Sequence, residues 1–195
     1  WSRGLGDVYK RQPRYNGVRD FFASRGITLP EGDPSDGPAA QTICGLGNRK
    51  NDLFNTVLAR DGIQPYPGSR RWVDRLHESG MAMAVVSSSR NAAAVLKAAG
   101  MVEDFSVLVD GNRSKTERLP GKPAPDTYLR GAELLGVPAE QCVVVEDAVS
   151  GVRAGAAGGF GMVLGVNRGV GADRLREAGA DRVVDDLDEM VEEMA

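Results

Sequence analysis

The amino-acid sequence predicts an α/β protein, a doubly wound parallel sheet preceded by a small helical unit. Two observations carry this. From residue 65 onward, short apolar runs alternate with helical stretches, the pattern of a parallel sheet covered on both faces. Before residue 65, two amphipathic segments follow one another with no strand between them.

The elements follow in order. Val18, Phe21 and Phe22 recur at helical spacing, and Gly26 ends the run. Residues 33–37, with Pro34, form a polar loop. Leu53, Phe54, Val57 and Leu58 mark a second helix closed by Gly62. Pro65-Tyr66-Pro67-Gly68 is a stiff turn suited to a hinge or linker. A helix through Trp72, Val73 and Leu76 then stops at Gly80, and residues 81–86 are the first strand. A helix with Val95, Leu96 and Ala99 ends at Gly100, before a strand at 105–109. Residues 126–135 are helical, entered from Pro125 and left at Gly136. Strands at 143–145, 162–166 and 182–184 alternate with helices at 150–157 and 172–178, and an acidic helix closes the chain. Right-handed crossovers bring the C-terminal ends of all these strands to one edge, where such sheets bind ligands.

Residues 1–12 have no period that continues into the next segment and read as a leader foreign to the fold. The expected division is therefore a leader at 1–12, a helical unit at 13–64 and an α/β core at 65–195.

Composition narrows the function. The 195 residues suffice for one core and a small lobe. Net charge is −3, with both signs scattered and no basic stripe, so nucleic acid is not an expected partner. No apolar run approaches the roughly 18 residues of a membrane helix, and no signal peptide opens the chain. A cytoplasmic monomer is expected. Cys44 and Cys142, far apart in sequence, read as unpaired thiols in or near a core. His77, the only histidine, reads as a solvated helix residue, because one histidine without nearby cysteines cannot build a zinc site.

The informative residues lie at the strand ends. The first strand leads into Ser87, Ser88, Ser89 and Asn91. The second precedes Gly121-Lys122-Pro123-Ala124-Pro125-Asp126, and the third ends in Glu146-Asp147. Hydroxyls and amides can hold phosphate oxygens. A lysine neutralises charge on a phosphoryl group, and adjacent carboxylates suit Mg²⁺. Taken singly, each has a plainer reading: helix cap, solvated loop lysine, acids in a helix's first turn. Their order at three strand ends of one sheet points to phosphoryl transfer.

That order, with GKPAPD followed by VVVEDAVSG, resembles the second, third and fourth motifs of the haloacid dehalogenase superfamily, closest to its β-phosphoglucomutase group. The resemblance runs from about Pro13 to the C-terminus. It implies Mg²⁺-dependent phosphotransfer on a small sugar phosphate through an aspartyl phosphate. Ser87 would match the phosphate-binding serine, with Ser88, Ser89 and Asn91 beside it in the substrate site. Lys122 would match the lysine that stabilises the aspartyl phosphate, and Glu146 and Asp147 the metal ligands. Residues 13–64 would be part of the family's helical cap, where Arg14 resembles an arginine that binds a distal phosphate and Lys50-Asn51 a pair that contacts the sugar.

One departure is large. The family's first strand ends in Asp-x-Asp-Gly, which supplies the nucleophile and the acid/base, and this motif does not occur in the chain. Asp7, in GLGDVYK, lacks the partner aspartate. Covalent transfer through an aspartate needs that residue. The strand would also be central, between those ending at Ser87 and Glu146. Its loss is expected to cost on the order of 10 kcal/mol, as much as a whole domain's stability. The chain as given is expected to fold poorly and to turn over nothing. Two alternatives stay open beside the mutase: a sugar-phosphate phosphatase of the same superfamily, and a non-catalytic fragment. A receiver-like signalling domain fits less well, because receivers place the acidic pair before the Lys-Pro. The glycines at 45 and 47 and the loop at 165–169 are expected to be structural, the latter only a turn.

Overall fold

The computed structural model describes residues 14–193. The expected leader, residues 1–12, lies outside the described residues. The chain divides into two compact units, one up to Ile63 and one from Gln64 onward.

The first unit contains α1 (Arg14–Ala23) and α2 (Ile43–Asp61). Thr42 caps α2, its hydroxyl oxygen accepting from the Gly45 amide at 2.9 Å while its hydroxyl donates to Asp36 at 2.6 Å. The two helices meet at small residues. A Cβ on Gly47 would lie 2.8 Å from the Tyr15 ring, so only glycine admits that approach. Ile43 and Cys44 are buried. The apolar stripe that marks this helix is exposed at Leu53, Phe54 and Val57, Leu53 by 61 %. The reason is reach, since α1 covers only the N-terminal half of α2, at Gly47, Asn48 and Asn51.

The second unit alternates helix and strand. Its elements are α3 (Pro67–Glu78), β1 (Ala84–Val86), α4 (Ala92–Ala98), β2 (Val107–Val109), α5 (Gly111–Thr116), α6 (Asp126–Leu135), β3 (Val143–Glu146), α7 (Val149–Ala157), β4 (Met162–Val166), α8 (Ala172–Glu177), β5 (Arg182–Val184) and α9 (Asp188–Glu193). All strand pairs are parallel. The first two strands are shorter than expected, because only residues 84–86 and 107–109 find partners in register. Helix α5 was not expected, since its sequence GNRSKT has no apolar period. Asp110 starts it, accepting from the Asn112 and Arg113 amides at 3.0 and 2.9 Å. His77 is exposed, as expected, Cys44 is buried and Cys142 half-buried, and both thiols are free.

Strand order divides the sheet. β1 pairs with β2, while β3, β4 and β5 form a separate three-stranded sheet in that order. Among the described residues β1 and β3 each have one strand partner, and the division falls between them, where the resemblance puts the family's first strand. Burial records it. β4, paired on both edges, is buried from Val163 to Val166, whereas β1 is only half-buried and Val143 of β3 is 52 % exposed.

Side-chain alternation along β4 builds two cores. Val163 packs with Val152, Leu175 and Ala178, and Leu164 and Val166 pack with Val184 and Leu187 against Trp72. Leu164, Leu175 and Val152 have no exposed surface, and each such burial stabilises by about 1.5–3 kcal/mol. A third cluster of Tyr128, Val144 and Ala154, with Val86 and Phe160, packs α6 against the ends of both sheets. No helix among the described residues is long and apolar enough to cross a membrane.

Candidate active site

Lys122 lies in the loop leading into α6, ahead of a cis bond to Pro123. Its ammonium donates to Glu146 Oε1 at 2.5 Å and to the Val86 carbonyl at 3.4 Å, and stands 4.4 Å from the Tyr128 ring centroid. Val86 ends β1 and adjoins Ser87, while Glu146 ends β3 and adjoins Asp147. One buried cation therefore spans the ends of the two sheets. The structure brings Ser87, Lys122, Glu146 and Asp147 to one edge, although they arise from three separate stretches of sequence.

Glu146 is held from every side. Oε1 also accepts from the Tyr128 hydroxyl at 2.9 Å, and Oε2 accepts from the Asp147 and Ala148 amides at 3.1 and 3.0 Å. Burial pushes this carboxyl up, but the Lys122 charge and the hydrogen bonds from Lys122, Tyr128 and Ala148 outweigh it and hold the group below the usual carboxylate range. The glycine of the VVVEDAVSG run has its explanation here. A Cβ on Gly151 would overlap the Glu146 carboxylate, so the first turn of α7 must be bare where it faces that group.

The serines after β1 fold onto themselves. Ser87 Oγ accepts from the Ser89 amide at 3.2 Å, and Ser89 Oγ from the Asn91 amide at 3.1 Å, which leads the chain into α4. Ser87 and Ser88 are half-buried and Ser89 is exposed.

A cleft of about 180 Å³ opens beside the acidic pair, lined by Glu146, Asp147, Ser69 and Arg168 over Val145, Val166 and Leu187. Arg168 corrects the expectation that residues 165–169 are only a turn. Its guanidinium stacks 3.6 Å from the Tyr66 ring centroid, donates to Ser69 Oγ at 2.9 Å and pairs with Asp186 at 3.7 Å. The loop after β4 thus fixes the start of α3. Sequence reasoning missed Arg168, Ser69 and Tyr128. The aromatic that closes KPAPDTY was the one available signal, since it falls in the first turn of α6, on the side of the lysine.

The first unit holds the other expected residues. Arg14 donates to Asn48 Oδ1 at 3.1 Å and to Asn51 Oδ1 at 2.8 Å. Lys50 is exposed and makes no hydrogen bond or ion pair among the described residues. Arg14 and Asn51 are thereby joined, with Lys50 next to Asn51 on the same helix.

Among the described residues no three His, Cys, Asp or Glu side chains cluster as a metal site would require. Of the two expected ligands Asp147 fits Mg²⁺, which is commonly held by one or two carboxylates with waters and substrate phosphate, whereas the acceptor sites of Glu146 are taken by Lys122, Tyr128 and two amides.

An ammonium, a hydroxyl and paired carboxylates thus gather at the C-terminal ends of two parallel sheets in an α/β fold, the groups that phosphoryl transfer uses. The family model for haloacid dehalogenase-like hydrolases matches residues 7–159, and the chain belongs to that family. It is 48 % identical over 181 residues to a β-phosphoglucomutase of Mycobacterium bovis, covering 91 % of this chain and 69 % of that one. It is 39 % identical over 132 residues to hexitol phosphatase A of Escherichia coli, covering 67 % of this chain and 57 % of that one. In fold it is similar to a β-phosphoglucomutase of Clostridium difficile, with a TM-score of 0.79 at 20 % identity over 99 % of this chain and 81 % of the other.

Proposed function

We propose that the chain carries the phosphate-binding and charge-stabilising half of a Mg²⁺-dependent phosphotransferase of β-phosphoglucomutase type, acting on a small sugar phosphate through an aspartyl phosphate. Residues 13–64 serve as the cap and 65–195 as the core. Lys122 stabilises the phosphorylated carboxylate, and Ser87, with Ser88, Ser89 and Asn91, holds phosphoryl oxygens. Arg14 grips the distal phosphate, and Lys50 and Asn51 the sugar. Asp147 would hold Mg²⁺, which when bound neutralises phosphoryl charge and orients the transferring group. Glu146 keeps the Lys122 ammonium aimed at the sheet edge. The protein acts as a monomer on a free small molecule.

The observation that carries this reading is the Lys122 ammonium fixed between the end of β1 and Glu146. The sequence has no Asp-x-Asp-Gly, so the 195 residues alone are expected to turn over nothing. The test joins a strand ending in Asp-x-Asp-Gly to the chain and assays β-glucose 1-phosphate beside a phosphatase panel, with and without Mg²⁺. Activity is expected only with the strand and the metal. Lys122→Ala should lower kcat by about 10²–10³, the scale of one lost charge-stabilising donor. Full activity of Lys122→Ala would overturn the assignment.

A second reading, a sugar-phosphate phosphatase, draws on the similarity to hexitol phosphatase A. Release of inorganic phosphate without transfer back to the sugar would select it.

A further inference from the structure

Arg14 differs from the other arginine of its helix. Arg19, five residues on, is neutralised by a carboxylate, with two bonds to Glu31 at 3.2 and 2.5 Å. Arg14 is held by two carboxamides and, among the described residues, by no carboxylate. Of the two, Asn48 is the more tightly determined. Its Nδ2 donates to the Pro34 carbonyl at 3.1 Å and to the Asp36 carbonyl at 2.9 Å. Its Oδ1 accepts from Arg14 at 3.1 Å and from the Tyr15 hydroxyl at 3.1 Å. Both amide hydrogens are thus committed to backbone carbonyls, which cannot donate, so the amide cannot turn over and its oxygen must face Arg14. The polar loop at 33–37 therefore fixes an acceptor of no net charge against the guanidinium. A carboxylate in the same place would make the same hydrogen bond and cancel the charge.

We infer that Asn48 is a positioning residue that orients Arg14 without neutralising it, and so sets the preference of this unit for a phosphorylated over an unphosphorylated sugar. This rests on the reading that Arg14 grips a phosphate. Tyr15 completes the arrangement from the neighbouring position of α1.

The test is calorimetric titration, without Mg²⁺ and at low ionic strength, of the chain joined to a strand ending in Asp-x-Asp-Gly, with glucose 6-phosphate and, separately, glucose, together with the melting temperature of each variant. Arg14→Ala should abolish the advantage of the phosphorylated sugar. Asn48→Ala should weaken glucose 6-phosphate about fivefold to tenfold, the scale of one hydrogen bond to a charged group, and leave glucose unchanged. Asn48→Asp should weaken it further than Asn48→Ala, whichever of the two melts higher. If Arg14→Ala changes nothing, or the unaltered chain shows no preference for the phosphorylated sugar, the reading of Arg14 falls and this inference with it. If Arg14→Ala abolishes the preference but both Asn48 variants keep it, only the inference about Asn48 falls. Loss of affinity that follows melting temperature, for glucose as much as for its phosphate, would mark Asn48 as structural and overturn the positioning role.

Discussion

Replacing Lys122 by methionine removes a buried cation and leaves its carboxylate behind. The Lys122 side chain is 9 % exposed and that of Glu146 13 %, so little solvent screens the pair. Stranding one partner of such a pair costs about 3–5 kcal/mol. Tyr128 and two amides still solvate Glu146, which places the cost near the lower end. The effect also has a pH signature. In the unaltered chain the folded Glu146 carboxyl lies below its unfolded value, so it adds stability above the carboxylate range that is lost as pH falls through the folded value. Without Lys122, burial dominates and the folded carboxyl rises above its unfolded value. The variant then loses stability as pH rises from the carboxylate range toward neutrality. The gap between the two proteins should be about 3 kcal/mol at pH 7 and shrink markedly near pH 4. Urea unfolding followed by far-ultraviolet circular dichroism at both pH values measures it. If the unaltered chain is itself marginal, the variant is unfolded at pH 7 and regains helix on acidification. A gap below about 1 kcal/mol at pH 7, or one equal at the two pH values, would refute the reasoning.

Three further outcomes follow from the geometry. Gly151→Ala should force the Glu146 carboxylate from its hydrogen bonds and destabilise by about 1–3 kcal/mol, read as a lower urea midpoint. Arg168→Ala removes the stack on Tyr66 and the bond to Ser69, so limited proteolysis at residues 63–69 should quicken severalfold while the far-ultraviolet spectrum is kept. In hydrogen exchange the amides of β4, flanked by β3 and β5, should be the slowest in the chain, and those of β1 and β3 should exchange well before them.

Much of this was legible in the sequence because it is local. Residues 126–135 are helical and end at Gly136 as expected, the glycine taking the left-handed conformation that closes α6. The strand ends were legible because polar residues interrupt apolar runs there, and the topology then brought Ser87, Lys122 and Glu146 together. What was hidden depends on distant partners. Helix α5 is held by one aspartate cap rather than by an apolar face. Arg168 acquires meaning only through Tyr66 and Ser69, about a hundred positions earlier. Leu53, Phe54 and Val57 have a buried-helix spacing that sequence cannot distinguish from burial itself, and among the described residues nothing covers them fully.

The lodging of Lys122 has a consequence for how an anion would meet it. Wedged between a carbonyl, a carboxylate and an aromatic face, the ammonium has already shed its hydration shell during folding. An incoming oxyanion need not strip water from it a second time, but it meets the field of the Lys122–Glu146 pair and not that of a free cation. A lysine on an open loop would have to lose that water anew at every encounter.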